Sequence, residues 1–191
     1  ATGRLVIKLG GSLLRIPGWP AAVRRLLAAE AARQRPIGLV VGGGPLVDGL
    51  RQLDQTEPQP AKRMHRLAIA AMGLTARLVA ERLELPLAHD MTADLTAVVA
   101  VSEATLCQPA LAALPCSWAV TSDSIAAAVA GVLAAELLVV KSIPPPGQTI
   151  AELTAAGWVD EHFPDASRRL TAIRWAAPAA CSLPAEAGLG P

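Results

Sequence analysis

Short runs of uninterrupted apolar residues alternate along this chain with longer stretches in which apolar side chains recur every three or four positions. Residues 4–9 (RLVIKL) form the first such run and predict a strand buried on both faces. Residues 20–34 (PAAVRRLLAAEAARQ) carry arginines on one side of an alanine- and leucine-rich stretch and predict an amphipathic helix. Pro36 precedes a second run, 37–41 (IGLVV), which stops at Gly42, Gly43 and Gly44. Strand–helix–strand order predicts parallel strands joined by a crossover, and hence an α/β fold. A helix is predicted over 45–53, a loop over 55–60 (QTEPQP) and a long helix over 61–83. Strands are predicted at 97–101 and 116–120, the second leading through Thr121, Ser122, Asp123 and Ser124 into a helix over 125–135. A strand at 137–140 ends, like the first, in a lysine. Beyond it the pattern gives a rigid loop at 143–147, a short helix at 149–156, a turn-rich segment at 158–164, a last strand at 173–176 and a loose tail from 178.

Composition narrows the picture modestly. A length of 191 residues suits one domain, and a net charge of +1 gives no electrostatic reason to expect a nucleic-acid or membrane partner. Residues 124–140 (SIAAAVAGVLAAELLVV) come nearest to a membrane span, but they are too short and contain Gly131 and Glu136. They read as a helix followed by a buried strand. Cys107, Cys116 and Cys181 are odd in number and lack CxxC spacing, and the N-terminal apolar run breaks at glycines without signal-peptide form. A reduced, cytoplasmic setting is the expectation.

Three strand ends carry candidate chemistry. LGGS follows the first strand, VVGGG the second and TSDS a later one. In an open parallel sheet these carboxyl ends share one edge, where ligands bind. Glycines there let backbone N–H groups converge on phosphate oxygens, and helix N-termini add partial positive charge. GxxxxGK[ST] is absent, and GxGxxG fails at Val47. Two separate glycine loops point to two anionic groups held facing each other, a phosphoryl donor and its acceptor. Lys8 and Lys141 both end buried strands, and Asp123, read as closing a strand, is placed to hold the two ammonium groups apart. Asp160, Glu161 and His162 form no cluster at metal-ligand spacing and read as a solvated turn.

VIKLGGSLL, VVGGGPLVD, TSDSIAAAVA and LLVVKS, in that order over roughly residues 4–142, resemble the amino-acid kinase family. The resemblance implies a three-layer αβα sandwich around a mainly parallel sheet, with ATP as donor and Mg²⁺ as the usual ion. By motif it implies that Lys8 stabilises the transferring phosphoryl group and that Gly10, Gly11 and Ser12 line the donor phosphates together with Ser122. Gly42, Gly43 and Gly44 would cradle the acceptor with Asp48 beside them, Asp123 would organise the lysines, and Lys141 would be the cation on the ATP side. On this reading residues 1–120 serve the acceptor and 121–176 a shortened nucleotide side, followed by the tail at 177–191. Homo-oligomers are the family habit.

The segment TSDSIAA, the helix bearing His65 and the segment WVDEHFP resemble the small kinases that phosphorylate aminomethylfuran-methyl phosphate in methanofuran-type cofactor biosynthesis. That likeness implies a phosphorylated small-molecule acceptor, with His65 and Arg66 on the acceptor side; the other reading of His65 is a surface histidine near a helix start. Where the family usually continues with a segment resembling TDVDGVY, this chain has Ser142, Ile143, Pro144, Pro145, Pro146 and Gly147. An ATP-dependent kinase is the expected function. A kinase-fold protein that binds an oxyanion, or regulates a partner without turnover, is the alternative.

Overall fold

The computed structural model describes residues 3–89, 96–102, 105 and 109–177. Strands β1 (Leu5–Leu9), β2 (Ile37–Val41), β3 (Leu87–Ala88), β4 (Ala97–Val99), β5 (Glu136–Val140) and β6 (Ile173–Ala176) form a six-stranded sheet in the order β3-β4-β2-β1-β5-β6. Every pairing is parallel. From β1 the chain builds outward through β2 and β4, then returns to the other side of β1 with β5 and β6. The crevice at such a reversal, outside the carboxyl ends of the strands, is where an open α/β sheet can receive a ligand.

Both faces of the sheet are covered, so the fold has three layers. Leu5, Ile7 and Leu9 of β1 join Leu39, Val41, Leu138 and Val140 in one apolar cluster. That cluster is covered by Val23 of α1 (Trp19–Ala31) and by Ala76, Val79 and Leu83 of α3 (Ala61–Leu83). Val6, Val40, Leu137 and Val139 face the other way, against Ile125, Ala126 and Val129 of α5 (Ser122–Val132). This side is completed by Leu153 of α6 (Ile150–Ala155), by Trp158 and Val159, and by Phe163 of α7 (Phe163–Ala166). Trp175 of β6 packs edge-on to Trp158, with ring centroids 5.6 Å apart. Strand alternation has a direct consequence for Lys8. It follows Val6 on the same face and therefore points at α5.

Several boundaries differ from the sequence pattern. Residues 116–120 form turns, with Ser117 N–H donating to the Pro115 carbonyl and Val120 N–H to that of Ser117, so the strand expected there is absent. One buried β-branched residue in CSWAV was too little to claim a sheet position. Helix α2 (Gly44–Thr56) runs two residues into the expected loop, aided by the Thr56 hydroxyl bonding the Gln52 carbonyl. Helix α5 starts at Ser122 rather than at 125, and Thr121 alone is its N-cap, so Asp123 lies in a helical first turn and not at a strand end. The short strand β3, the 3-10 turn Gly11–Arg15 and helices α4 (Pro109–Ala112) and α7 were not anticipated. Cys116 is exposed, while Cys107, Cys181 and the tail from 178 lie outside the described residues. Among the described residues no helix is long and apolar enough to cross a membrane.

The two ends of the sheet are held by different forces. At the amino ends of β2, β5 and β6, Arg174 grips Glu30 of α1 bidentately at 2.7 and 2.9 Å. Arg35 bridges Glu30 at 3.1 Å and Glu136 at 2.7 Å. The Arg174 hydrogen bonds, opposed by burial and reinforced by Arg35, hold the Glu30 carboxyl down to about 2. At the carboxyl ends the glycine loops lie against each other. A Cβ on Gly11 would sit 2.3 Å from the Gly44 nitrogen, and one on Gly42 would meet Gly11 N at 2.9 Å and Ser122 Oγ at 2.8 Å. These glycines are thus required by loop-to-loop contact, a reason the sequence does not display.

Two outcomes follow. Gly11→Ala has only backbone to push aside and should lower stability by about 1–3 kcal/mol. Gly131→Ala meets nothing within 4 Å inside α5 and should be neutral or stabilising by up to about 1 kcal/mol. Urea midpoints of the two variants decide this, and equal effects would refute the close loop contact. Glu30 has a folded carboxyl well below its ordinary value of 4.5, so its stabilisation is present above pH 4.5 and is lost as pH falls from there towards 2. Glu30→Gln leaves the buried Arg35 and the part-exposed Arg174 to share Glu136 and should cost about 2 kcal/mol at pH 7. Its melting temperature should also fall less steeply than that of the wild type between pH 5 and 3, as thermal melts across that range will show.

Candidate active site

A cavity of about 790 Å³ opens at the carboxyl ends of β1, β2 and β5. Gly10, Gly11 and Ser12 bound it on one side, and Gly42, Gly43 and Gly44 on another. Ser122 and Asp123 enter from the start of α5, with Lys8 and Lys141 beneath. On the far flank stand Thr154, Ala155 and Gly157, at and just beyond the end of α6.

At the centre is a buried ion triad. Lys8 Nζ lies 2.5 Å from Asp123 Oδ1, and Lys141 Nζ lies 2.9 Å from Oδ2. Lys8 and Asp123 are almost fully buried, whereas the Lys141 side chain is 16% exposed. Oδ1 has no hydrogen bond of good angle, so its satisfaction by Lys8 is mainly Coulombic. Burial pushes the Asp123 carboxyl up, but the Lys8 and Lys141 charges outweigh it and hold the carboxyl below the usual range. Burial and the nearby Lys8 charge push the Lys141 ammonium down, with Asp123 and Asp160 partly offsetting them. Lys141 also donates to the Trp158 carbonyl and sits 5.1 Å from the centre of the Trp158 ring. The three groups together carry one net positive charge at the floor of the cavity.

Asp160 fixes the position of Asp123. It accepts from Thr121 N–H at 2.9 Å, Thr121 Oγ1 at 2.7 Å, Ser124 N–H at 3.0 Å and Ser124 Oγ at 2.5 Å. A carboxylate on the open N–H groups of a helix start satisfies donors that the helix cannot and complements its dipole. Glu161 and His162 lie in a turn, with Glu161 exposed, but Asp160 anchors α5 and the flanking Val159 and Phe163 are buried, so the solvated-turn reading fails for Asp160. Spacing in the sequence could not reveal this, because Asp160 and Thr121 lie 39 residues apart.

A further flank of the cavity is built from α2, α3 and the 116–120 turns. Gly44, Val47, Asp48 and Arg51 recur on the cavity side of α2 at helical spacing. Arg15 lies 3.9 Å from Asp48, both exposed. His65 lines the cavity and is buried, which rules out the alternative reading of it as a surface histidine. Burial lowers its imidazole, partly countered by a hydrogen bond with the Ser117 backbone. Arg66, one position on, is exposed and does not line the cavity, because the helix turns it away from His65. The proline run at 144–146 is also off the cavity, and 154–157 lines that flank instead. Arg51, Trp118, Thr154 and Asp160 were not singled out as site residues from the sequence. Among the described residues no group of three or more His, Cys, Asp or Glu is arranged to hold a metal ion.

Comparison with known proteins agrees with this geometry. The fold resembles uridylate kinase from Archaeoglobus fulgidus, with a TM-score of 0.53 and 17% identity over 77% of this chain and 69% of that one. It also resembles aspartate kinase from Synechocystis, with a TM-score of 0.61 and 17% identity over 90% of this chain but 38% of that one. No curated protein matches the sequence. The profile of the amino acid kinase family matches residues 3–144, well over half of the chain, and the protein belongs to that family.

Proposed function

We propose that this protein transfers the γ-phosphoryl group of ATP to a small acceptor that already carries a phosphate. The observation that carries this reading is the Lys8–Asp123–Lys141 triad, set at the floor of one cavity bounded by both glycine loops. An oxygen of the acceptor phosphate attacks the γ-phosphorus. The new P–O bond forms as the bond to the β–γ bridging oxygen breaks, and ADP leaves with that electron pair. A phosphate oxygen is already nucleophilic at neutral pH, so the step needs no general base. Asp123 is not available as one, since both its oxygens face ammonium groups.

Chemistry of this kind asks the protein for positioning and charge. Lys8, buried and fixed by Asp123, meets the charge on the transferring group. Lys141 sits on the donor side, beside Trp158 and Asp160, and the 10–12 loop closes over the donor phosphates. Mg²⁺, when present, would neutralise those phosphates. The carboxylates do not form a cage for it, because Asp123 is committed to the lysines and Asp160 to α5. The likeness of TSDSIAA and WVDEHFP to kinases acting on a furan-methyl phosphate makes that compound the first acceptor to assay.

The direct test is ADP release and ³¹P NMR with ATP, Mg²⁺ and a panel of phosphomonoesters that includes the aminomethylfuran-methyl phosphate. Nucleotide binding without product across the panel would replace this reading with that of a non-catalytic oxyanion binder. Lys8→Met should lower kcat about a hundredfold or more, since charge stabilisation of a transition state is worth roughly that much per donor. It should also lower the melting temperature, because Asp123 loses a buried partner. Full turnover in a destabilised Lys8→Met would refute the role of Lys8.

Nucleotide selectivity should be weak. The flank at 154–157 presents Thr154, Ala155 and Gly157, side chains with few groups to read a base. ATP and GTP should differ in Kd by less than about tenfold, equivalent to about 1.4 kcal/mol. Calorimetric titration of both with Mg²⁺ measures this, and a hundredfold preference would show that the base is read elsewhere.

A further inference from the structure

The cavity is lined by four cations and four carboxylates, and all but one of the cations are paired with a carboxylate. Lys8 and Lys141 share Asp123, and Arg15 stands against Asp48. Arg51 has no carboxylate partner among the described residues. Its guanidinium lies over the Trp118 ring, 5.0 Å from the centroid. His65 supplies no compensating charge of its own kind, because burial favours its neutral form.

Arg51 is nevertheless held in place. The Trp118 indole N–H donates to Asp54 Oδ2 at 2.7 Å, while Asp54 Oδ1 accepts from the Gln59 amide at 2.8 Å. Asp54 lies one turn beyond Arg51 on α2, so it draws the indole, and the guanidinium on it, towards the end of the helix away from Gly44. Seven residues separate Gly44 from Arg51, or about 10 Å along the axis. The guanidinium is therefore set apart from the glycine loops and the triad while still facing the same cavity. One face of it is covered by the indole, and its fork of N–H donors suits bidentate binding of a carboxylate or phosphate.

The geometry assigns to Arg51 a second anion subsite, which receives an anionic group of the acceptor distinct from the phosphate that reacts. Trp118 and Asp54 are its positioning residues. This rests on the phosphotransferase reading for what occupies the glycine loops, and it narrows the acceptor class to molecules with two anionic ends, which sets it against the aminomethylfuran-methyl phosphate, whose other end is an ammonium.

Phenyl phosphate and 4-carboxyphenyl phosphate test the assignment, since they differ only in a rigidly placed distal carboxylate. Calorimetry at low salt should show the wild type binding the carboxylated compound at least about tenfold more tightly. Arg51→Gln should erase that preference while leaving phenyl phosphate within about twofold, and Arg51→Lys should keep part of it. Arg15→Gln, the control for general loss of positive charge, should keep it whole. Melting temperatures equal to the wild type will exclude misfolding. Equal affinities in the wild type, no binding of either compound, or a preference that survives Arg51→Gln would overturn the subsite. ATP titrated in parallel separates the two readings. Carboxylate preference without ATP binding would leave the subsite standing and remove the kinase, and ATP binding without the preference would do the reverse.

Discussion

A carboxylate buried between two ammonium groups is the constraint around which the active end of this protein is arranged. Three charged side chains removed from water are tolerated only if each finds its partner at contact distance, and loss of one partner from such a group costs about 3–5 kcal/mol. Strand alternation puts Lys8 on the α5 face, and the same parity carries through β5 to Lys141. Helix α5 must then begin where Asp123 can reach both. Thr121 and Asp160 set that start, one by capping and the other by satisfying the open N–H groups of the first turn. The buried charge and the packing of α5 against the sheet are therefore one problem with one solution.

The opposite end of the sheet uses charge differently. Glu30, Arg35, Glu136 and Arg174 tie α1 to the starts of β2, β5 and β6, away from the cavity. There the fork geometry of arginine supplies several hydrogen bonds per ion pair, a structural arrangement that leaves no cation uncommitted. At the carboxyl end the loops are kept lean by glycine so that they touch each other, and the lysines face the cavity. The sheet is thus clamped by ion pairs at one end and left at the other with a triad of one net positive charge on the cavity floor.

One flank of the cavity rests on an element with little core of its own. Helix α2 has no buried residue, and Leu46 and Leu53 are exposed. Its hold on the rest of the molecule comes from α3, from the glycine contacts at its start and from the Asp54–Trp118 bond near its end. A helix fixed at its two ends and lightly packed between them can vary its cavity-facing side chains at small cost to the fold, which suits a surface that selects a substrate.

The sequence by itself determined a parallel α/β fold, because uninterrupted apolar runs, helical periodicity and glycines at strand ends are local signals with few alternative solutions; its three layers were implied by the family resemblance. It also brought Lys8 and Lys141 into one neighbourhood, since strand ends of a parallel sheet share an edge; Asp123 joins them from the first turn of α5, not from the strand end the pattern suggested. It did not determine that Asp160 anchors α5, that the glycines of the two loops exist for each other, that Arg66 turns away while His65 turns in, or that Arg51 rests on Trp118. Those facts depend on which residues meet across dozens of positions: 36–39 for Asp160 and 64 for Asp54 with Trp118. Polar contacts of that kind leave no periodicity in the chain. They are decided only when burial forces each charge and each N–H group to find a partner in three dimensions.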